Sequence, residues 1–424
     1  MLISWILLLI LALILLRAPI FVALGAPAFL WLYLQGIPLG LAPQRMIGTI
    51  NNSILLAVPM FLLAGRLMNL CGATERIFNF AQAIVGHIRG GLGYVSVFAS
   101  IIFSAMSGSA AADAVGVGTI TVRAMRERGY DPEFAAAITL ASSTLAPIVP
   151  PSIIMIVYGA AANVSIGRLF VAGLFPGFVI AVCLLIAVFV ISWYRGYPKG
   201  ESFSLRRAVV ALKDAILVLL TPVLIIGGIF SGVFTPTEAG VIAVVYVILI
   251  GLIYRKLSFK AFYNEVVTAG TSVGVLMLVI SVSGLDGWMF AREQLPMLMA
   301  DGITSFSSDP ATVTFLILGL VLFLGMFMDA TPIILMVVPF VVPLTQLVGI
   351  DPVHLGVMFC IMCVIGLITP PVGIALYGVA MVSRLPIENV FWATLPFFIM
   401  LLVAIAAMVL MPDLIQWLPN KILG

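Results

Sequence analysis

Charge is what this chain most lacks. Asp, Glu, Lys and Arg make up 9% of its 424 residues and hydrophobic residues 63%, a balance that excludes a soluble globular domain and matches a polytopic α-helical membrane protein. Histidine occurs only at His87 and His354, near loop ends and without a paired ligand, so a metal centre built on imidazole is not expected. The four cysteines, Cys71, Cys183, Cys360 and Cys363, lie in apolar surroundings, which argues against a disulfide framework. The Cys360-x-x-Cys363 spacing reads as two buried small hydrophobes rather than a redox pair. No G-x-x-x-x-G-K-[ST] phosphate loop is present, and no H-E-x-x-H or G-x-S-x-G motif, so neither ATP hydrolysis nor an intramembrane hydrolase is expected. The net charge of +3 reflects loop placement, not a nucleic-acid partner. The chain therefore reads as no enzyme, with coupling supplied by an ion gradient or a partner. Leu2–Leu16 lacks the basic start and cleavage site of a signal peptide and reads as a retained helix.

What is present is an apolar stretch that cannot be one helix. Ser142 to Gly159 reads SSTLAPIVPPSIIMIVYG and lies in a run with no charged residue between Phe134 and Gly167. Pro147, Pro150 and Pro151 donate no N–H, so a helix through them would leave the carbonyls of Ser143, Ala146 and Pro147 without partners. At membrane depth such carbonyls are tolerated only where they are buried in protein or line a wet cavity. With the hydroxyls of Ser142, Ser143 and Thr144 they suggest an uncharged oxygen nest suited to a small cation.

The stretch occurs twice. Gly129-Tyr130-Asp131-Pro132 matches Gly349-Ile350-Asp351-Pro352, Pro150-Pro151 matches Pro370-Pro371, and Leu174-Phe175-Pro176 matches Thr394-Leu395-Pro396, each at an offset of 220 residues. Phe103 and Met106 fall on Phe323 and Met326 at the same offset. Duplicated halves with matching interruptions in apolar segments are the sequence mark of a secondary transporter's binding site.

In chain order, spans are expected at Leu2–Leu16 and Ala18–Leu34, parted by Arg17 and Pro19, then a polar turn at Gln44-Arg45, a span at Ser53–Leu70 and an amphipathic piece near Thr74–Arg89. Gly91–Val122 is too long for one crossing and too short for two, with a small-residue run from Ser104 to Asp113, which suits a re-entrant hairpin with its tip at Ser107–Ser109. A basic turn, Arg123–Arg128, precedes the broken helix Pro132–Asn163 and the span Leu169–Tyr194. The basic stretch Arg195–Lys213 reads as a linker that marks topology and contacts lipid headgroups. Spans at Ala215–Gly232 and Thr237–Tyr254, a short amphipathic piece after Arg255-Lys256, and a span at Thr268–Phe290 follow. The second half then supplies a hairpin, Thr312–Val348, whose only charge is Asp329, a broken helix, Pro352–Val382, and a last span, Ile387–Met411. Arg123, Arg126 and Arg128 place the loop after the first hairpin inside, whereas Leu344–Pro352 has no Lys or Arg and reads as outside. The two repeats are thus expected to be inverted in the membrane, with both termini on the outer side.

Two hairpin tips entering from opposite faces would meet beside the two breaks. Half-helix N-termini there suit an anion, and hydroxyls and free carbonyls suit cations. Candidate cation ligands are Ser104 and Ser107 with the carbonyls of Ala146, Val149 and Pro151 in the first half. In the second they are Gly325, Asp329, Gly366, Thr369 and Pro371. Sodium suits such hard oxygens, by the logic that gives calcium its ligands. Candidate substrate contacts are Ser107, Gly108, Ser109, Ser152, Thr331 and Gly373. Asp113 reads either as a buried functional acid or as a helix-start cap, and Asp329 as functional or as a partner for N–H groups of the hairpin turn. Two rival readings remain: a proton-coupled carrier using Asp113 and Asp329, and a passive channel or scaffold subunit of a membrane complex.

The runs FSAMSGSAAADAVGVGTI (Phe103–Ile120) and GYDPEFAAAITLASSTLAPIVPPSIIMIVYGAAANVSIGRLFVAGLFPG (Gly129–Gly177), with GMFMDATPIILMVVP and GLITPPVG in the second half, resemble the DctM/SiaM-like large membrane subunit of tripartite ATP-independent periplasmic (TRAP) transporters. The resemblance implies a bacterial inner-membrane importer of an organic acid such as a C4-dicarboxylate or a sialic acid, coupled to sodium and working as an elevator. It implies a soluble periplasmic binding protein and a small four-helix membrane subunit. The pattern starts almost at once, at Pro19-Ile20-Phe21-Val22-Ala23-Leu24-Gly25, so that subunit is expected as a separate chain. It implies scaffold helices at 1–72, a transport unit at 73–180 (hairpin 91–122, broken helix 132–163), scaffold and arm helices at 181–290, a second transport unit at 291–385 (hairpin 312–348, broken helix 352–382) and a scaffold helix at 386–424. The sodium ligands it implies are the serines and carbonyls already named; Ala146 stands where the family commonly has glycine, and keeps its carbonyl.

Overall fold

A computed structural model describes residues 2–423 apart from 17, 296, 299–301 and 303–306. Among the described residues there are nineteen α-helices and no β-strand. Helices α1 (Leu2–Leu15) and α2 (Ile20–Leu34) pack on each other; Arg17, expected to part them, lies outside the described residues. The Gln44-Arg45 segment is not a turn but part of α3 (Leu41–Ile50). Pro43 falls in its first turn, where a missing N–H costs nothing, and Arg45 rests over the Trp288 ring at 5.1 Å.

A 3₁₀ turn leads into α4 (Ala57–Leu70), and the amphipathic piece is α5 (Ala73–Val85). The first hairpin is α6 (Gly91–Ser107) and α7 (Ala110–Glu127), turning at the expected residues, although its second arm runs on through Arg123 and Arg126. The broken helix is α8 (Pro132–Ser143) and α9 (Ile153–Ala162), followed by α10 (Ile166–Tyr194). Helix α11 (Leu205–Phe230) takes in Arg206, Arg207 and Lys213, so the basic linker shrinks to residues 195–204. Leu205 to Lys213 are mostly good helix formers with no glycine or proline among them. Helix α12 (Pro236–Ile253) opens on a Thr235/Glu238 capping box. A short piece and a span were expected next, but one 34-residue helix, α13 (Phe259–Arg292), runs through both because no proline interrupts it.

The second hairpin is α14 (Pro310–Gly325) and α15 (Ala330–Val348), and the second broken helix is α16 (Pro352–Leu367) and α17 (Ile374–Ser383). Helix α18 (Ile387–Leu410) is followed by an unexpected short amphipathic helix, α19 (Pro412–Leu423). Among the described residues six helices are long and apolar enough to cross a membrane. The hairpin and broken-helix arms are shorter: the ten residues of α9 span about 15 Å, half a hydrocarbon core. The chain is thus a polytopic membrane protein of two inverted repeats, each with a hairpin and a broken helix. Arg126 donates to the Ser383 carbonyl at 3.2 Å, joining the ends of α7 and α17, which the charge pattern places on one face.

A main core of buried aliphatic and aromatic residues runs through both repeats, and a smaller one joins α1, α2 and α13. Across the repeats α7 packs along α17 and α9 along α15. A Cβ on Gly378, five residues into α17, would meet Val115, six residues into α7, at 3.3 Å, so these half-helices start side by side.

Candidate functional site

Each hairpin tip rests on the break of its own repeat. In the first repeat α6 ends at Gly108, whose φ of +57° lies in the left-handed region that favours glycine. A Cβ there would lie 3.0 Å from the Pro151 carbonyl oxygen and 3.2 Å from the Ile153 nitrogen, so the tip sits directly against the break. Ser109 caps α7, accepting from Ala112 N at 3.4 Å. Ser104 donates to the Ile101 carbonyl at 2.5 Å. Ser107 is buried, and its hydroxyl has no partner.

The break satisfies itself more fully than the prolines alone suggest. Ser143 O accepts from Ala146 N at 3.2 Å, and Pro147 O accepts from the Ser152 hydroxyl, which also caps α9 by accepting from Met155 N. Ser142, Ser143 and Thr144 donate back to carbonyls of their own helix at 3.1, 2.8 and 2.7 Å, so their hydroxyls do not form the expected nest. Among the described residues no hydrogen bond reaches the carbonyls of Ala146, Val149 or Pro151. Ser107, these three carbonyls and Ser104 remain as the oxygen set. A group of three or more His, Cys, Asp or Glu side chains able to hold a metal does not occur among the described residues.

The second repeat closes differently. Gly325 and Gly366 cross at backbone contact: a Cβ on Gly366 would lie 2.5 Å from Gly325 Cα. The Met326 carbonyl at the hairpin tip accepts from Val372 N at 3.0 Å and Gly373 N at 3.3 Å, so the Gly373 amide expected to meet substrate is already engaged. Thr369 is buried and donates to Ile365 O at 2.7 Å, while its amide donates to Gly366 O at 3.0 Å. Asp329 caps α15, accepting from Ala330 N at 2.8 Å, and is exposed, as is Pro371; Thr331 beside it is buried. Four half-helices, α7, α9, α15 and α17, begin at these tips and breaks, and pair across the repeats. Their N-terminal amides favour an anion there.

Asp113 is not a cap, because Ser109 holds that position. Its carboxylate is buried in the hairpin: Oδ2 accepts from Ser100 at 2.7 Å and Oδ1 has no partner. Ser100 and Ser96 each lie within hydrogen-bond distance of Ser142, at 3.2 and 3.1 Å. This buried string was missed at the sequence level, although Ser96, Ser100 and Ser104 recur every four residues and so share one face of α6. The four cysteines are free thiols, and His354 N ε2 lies 3.3 Å from the Met408 carbonyl.

Residues 7–414 match the family model described as the DctM component of the tripartite ATP-independent periplasmic transporter. The chain is 44% identical over 407 residues to the sialic acid TRAP transporter large permease protein SiaM of Vibrio cholerae, covering 96% of this chain and 94% of that one. It is 36% identical over 377 residues to the C4-dicarboxylate large permease DctM of Pseudomonas aeruginosa, covering 89% and 88%. Among solved structures it is similar to the Alcanivorax borkumensis YdaH transporter, with a TM-score of 0.66 at 13% identity over 88% of each chain. That likeness concerns the fold.

Proposed function

The chain belongs to the DctM family of TRAP transporter large permeases, and from that premise we propose that it carries an organic acid anion across the membrane by a sodium-coupled elevator movement. The observation that carries the sodium reading is the buried, partnerless Ser107 hydroxyl in a hairpin tip that rests on the break, where the carbonyls of Ala146, Val149 and Pro151 accept no hydrogen bond among the described residues. A buried hydroxyl without a partner is costly, and a sodium ion among hard oxygens would relieve that cost. Ser104 completes this set; in the second repeat Gly325, Gly366, Thr369 and Pro371 supply carbonyls, with Asp329 as the nearby negative charge.

The anion would lie between the tips, held by the hydroxyls of Ser107 and Thr331 and by amides at the start of α7, α9 and α15, where Gly108, Ser109 and Ser152 shape the cradle. Residues 73–180 and 291–385 would move as the transport unit against 1–72, 181–290 and 386–424. A sialic acid heads the substrate classes to try, as 44% identity to a sialic acid permease favours it. A periplasmic binding protein would deliver it, and a separate four-helix subunit would complete the complex in a bacterial inner membrane, with the C-terminus outside.

Uptake of radiolabelled sialic acid and C4-dicarboxylates into proteoliposomes carrying the chain, its small subunit and its binding protein tests this. Uptake that needs an inward sodium gradient and the binding protein is expected. Uptake indifferent to sodium and driven by a pH gradient would overturn the coupling ion.

A further inference from the structure

A cavity lies at the end of α7 remote from its hairpin tip, on the face that the basic loops mark as cytoplasmic. It measures about 730 Å³ and is bounded by α5, the end of α7 and the first turns of α11. We propose that it binds a phosphate oxyanion, carried either by an anionic lipid headgroup or by a soluble phosphate.

Charge matching supports this. The cavity is lined by Arg128, Arg206 and Arg207 and by two acids, Glu201 and Asp214. Both acids are already matched inside the protein: Glu201 pairs with Arg207, and Asp214 with Arg76, whose guanidinium also lies over the Tyr254 ring. Arg206 has no hydrogen bond or ion pair among the described residues. Arg128 meets the neutral Gln82 amide, at 2.9 Å when that amide is turned with its oxygen inward, and lies within electrostatic reach of Glu201, whose contact partner is Arg207. The cavity thus sets three guanidinium groups against two acids, and two of them, Arg128 and Arg206, on separate elements, have no contact ion pair among the described residues.

The helix that starts there adds to the imbalance. Helix α11 is 26 residues long, yet the Ser204 side chain does not cap it and its first turn holds no acid. Arginines at a helix start oppose the macrodipole, an arrangement that an anion on the free amides would correct. Bidentate guanidinium donors suit phosphate oxygens better than they suit a chloride ion. The cavity is also held in shape. The strand-like bridge of Arg89 to Lys199, the Gly90 N to Pro198 O bond at 3.2 Å and the Arg89 to Tyr197 O bond at 3.1 Å pin the 195–204 linker beside α5. His87 packs edge-on against Phe203 at 5.5 Å and closes one wall. Basic pockets between helices on the cytoplasmic side are where anionic headgroups bind.

The site does not depend on the transport reading, because binding is measured on the purified chain whether or not it moves sodium. Thermal-shift titrations of the detergent-purified chain would use inorganic phosphate, dioctanoyl phosphatidylglycerol and, as a zwitterionic control, dioctanoyl phosphatidylcholine. Saturable stabilisation is expected, weakened at least about tenfold in Arg128→Gln/Arg206→Gln and unchanged in Arg255→Gln/Lys256→Gln, which removes equal charge elsewhere on the same face. Should the first pair fail to fold, Arg206→Gln alone serves, since that side chain supports nothing else. Saturation by the glycerol lipid but not by phosphate assigns a lipid headgroup, and saturation by phosphate assigns a soluble anion. No saturable binding of either, or binding unchanged in the Arg128/Arg206 variants, overturns the proposal.

Discussion

The two halves share one skeleton and close it by opposite means. In the first repeat the second half-helix is capped from within, by the Ser152 hydroxyl; in the second, the equivalent residue is Val372, and the cap is the Met326 carbonyl of the hairpin. The crossing residues differ in step: alanines stand at 105 and 146, glycines at 325 and 366, and the glycine pair brings backbone onto backbone. The first site is buried, whereas Asp329 and Pro371 of the second are exposed. A tip that lends its carbonyl to a neighbouring helix cannot leave without stranding two amides. A self-capped break has no such tie, so parting hairpin from break would cost the second repeat two hydrogen bonds that the first does not hold.

Breaking the glycine contact should have the largest effect. Gly366→Ala would place a Cβ 2.5 Å from backbone that cannot rotate away, costing about 1–3 kcal/mol of overpacking and abolishing uptake. Ala146→Gly, its counterpart, should keep most activity. Equal tolerance of both substitutions, by thermal unfolding and proteoliposome uptake, would show that the two crossings do not differ.

Ser107→Ala comes next. If sodium is the missing partner of that hydroxyl, half-saturating sodium should rise about tenfold, which is about 1.4 kcal/mol, while stability without sodium holds or improves as a buried unpaired group is lost. A sodium titration left unchanged would remove Ser107 from the ligand set.

Ser152→Ala tests the self-made cap and should cost about 1 kcal/mol, lowering the melting temperature with or without sodium. Val372→Ala should cost little, because its amide keeps the Met326 carbonyl.

The smallest effect concerns the matched acids that start the two broken helices. Asp351 caps α16, accepting from Val353 N and His354 N at 2.9 and 2.8 Å. Asp131 instead accepts from the Tyr197 hydroxyl at 2.7 Å and pairs with Arg195 at 2.6 Å. The Tyr197 hydroxyl, then the Arg195 guanidinium, hold its carboxyl below the usual carboxylate range. A lowered folded-state value means that the stabilisation is complete above the ordinary aspartate range, near 4, and is lost as pH falls through the depressed value. Asp131→Asn should flatten that acid limb slightly, the pair being half-exposed. An unaltered limb would show that the contact does not set it.

Much of this architecture was legible in the chain itself. The turn at Ser107–Ser109 followed from the length of its apolar stretch and a run of small residues, and both breaks followed from proline, which acts through the backbone of its own residue and needs no neighbours. The continuous α13 and the helical start of α11 were misread because basic residues at a membrane edge mark a side of the membrane, not a change of conformation. Pairing was beyond reach: that Ser142, Ser143 and Thr144 bond back to their own helix while Ser107 stays unpartnered depends on which atoms lie opposite each hydroxyl.

Composition, the 220-residue repeat, the prolines and the basic residues of the loops were thus sufficient for a membrane carrier of two inverted halves with interrupted helices, since each is a property of segments. Which carbonyls remain open, which break is capped by its own side chain and which by the adjoining hairpin, and that Arg128 and Arg206, 78 residues apart in the chain, line one cavity, were decided only on packing. Hydrogen bonds and close contacts are short-ranged, and residues far apart along the chain come within that range only when the helices assemble.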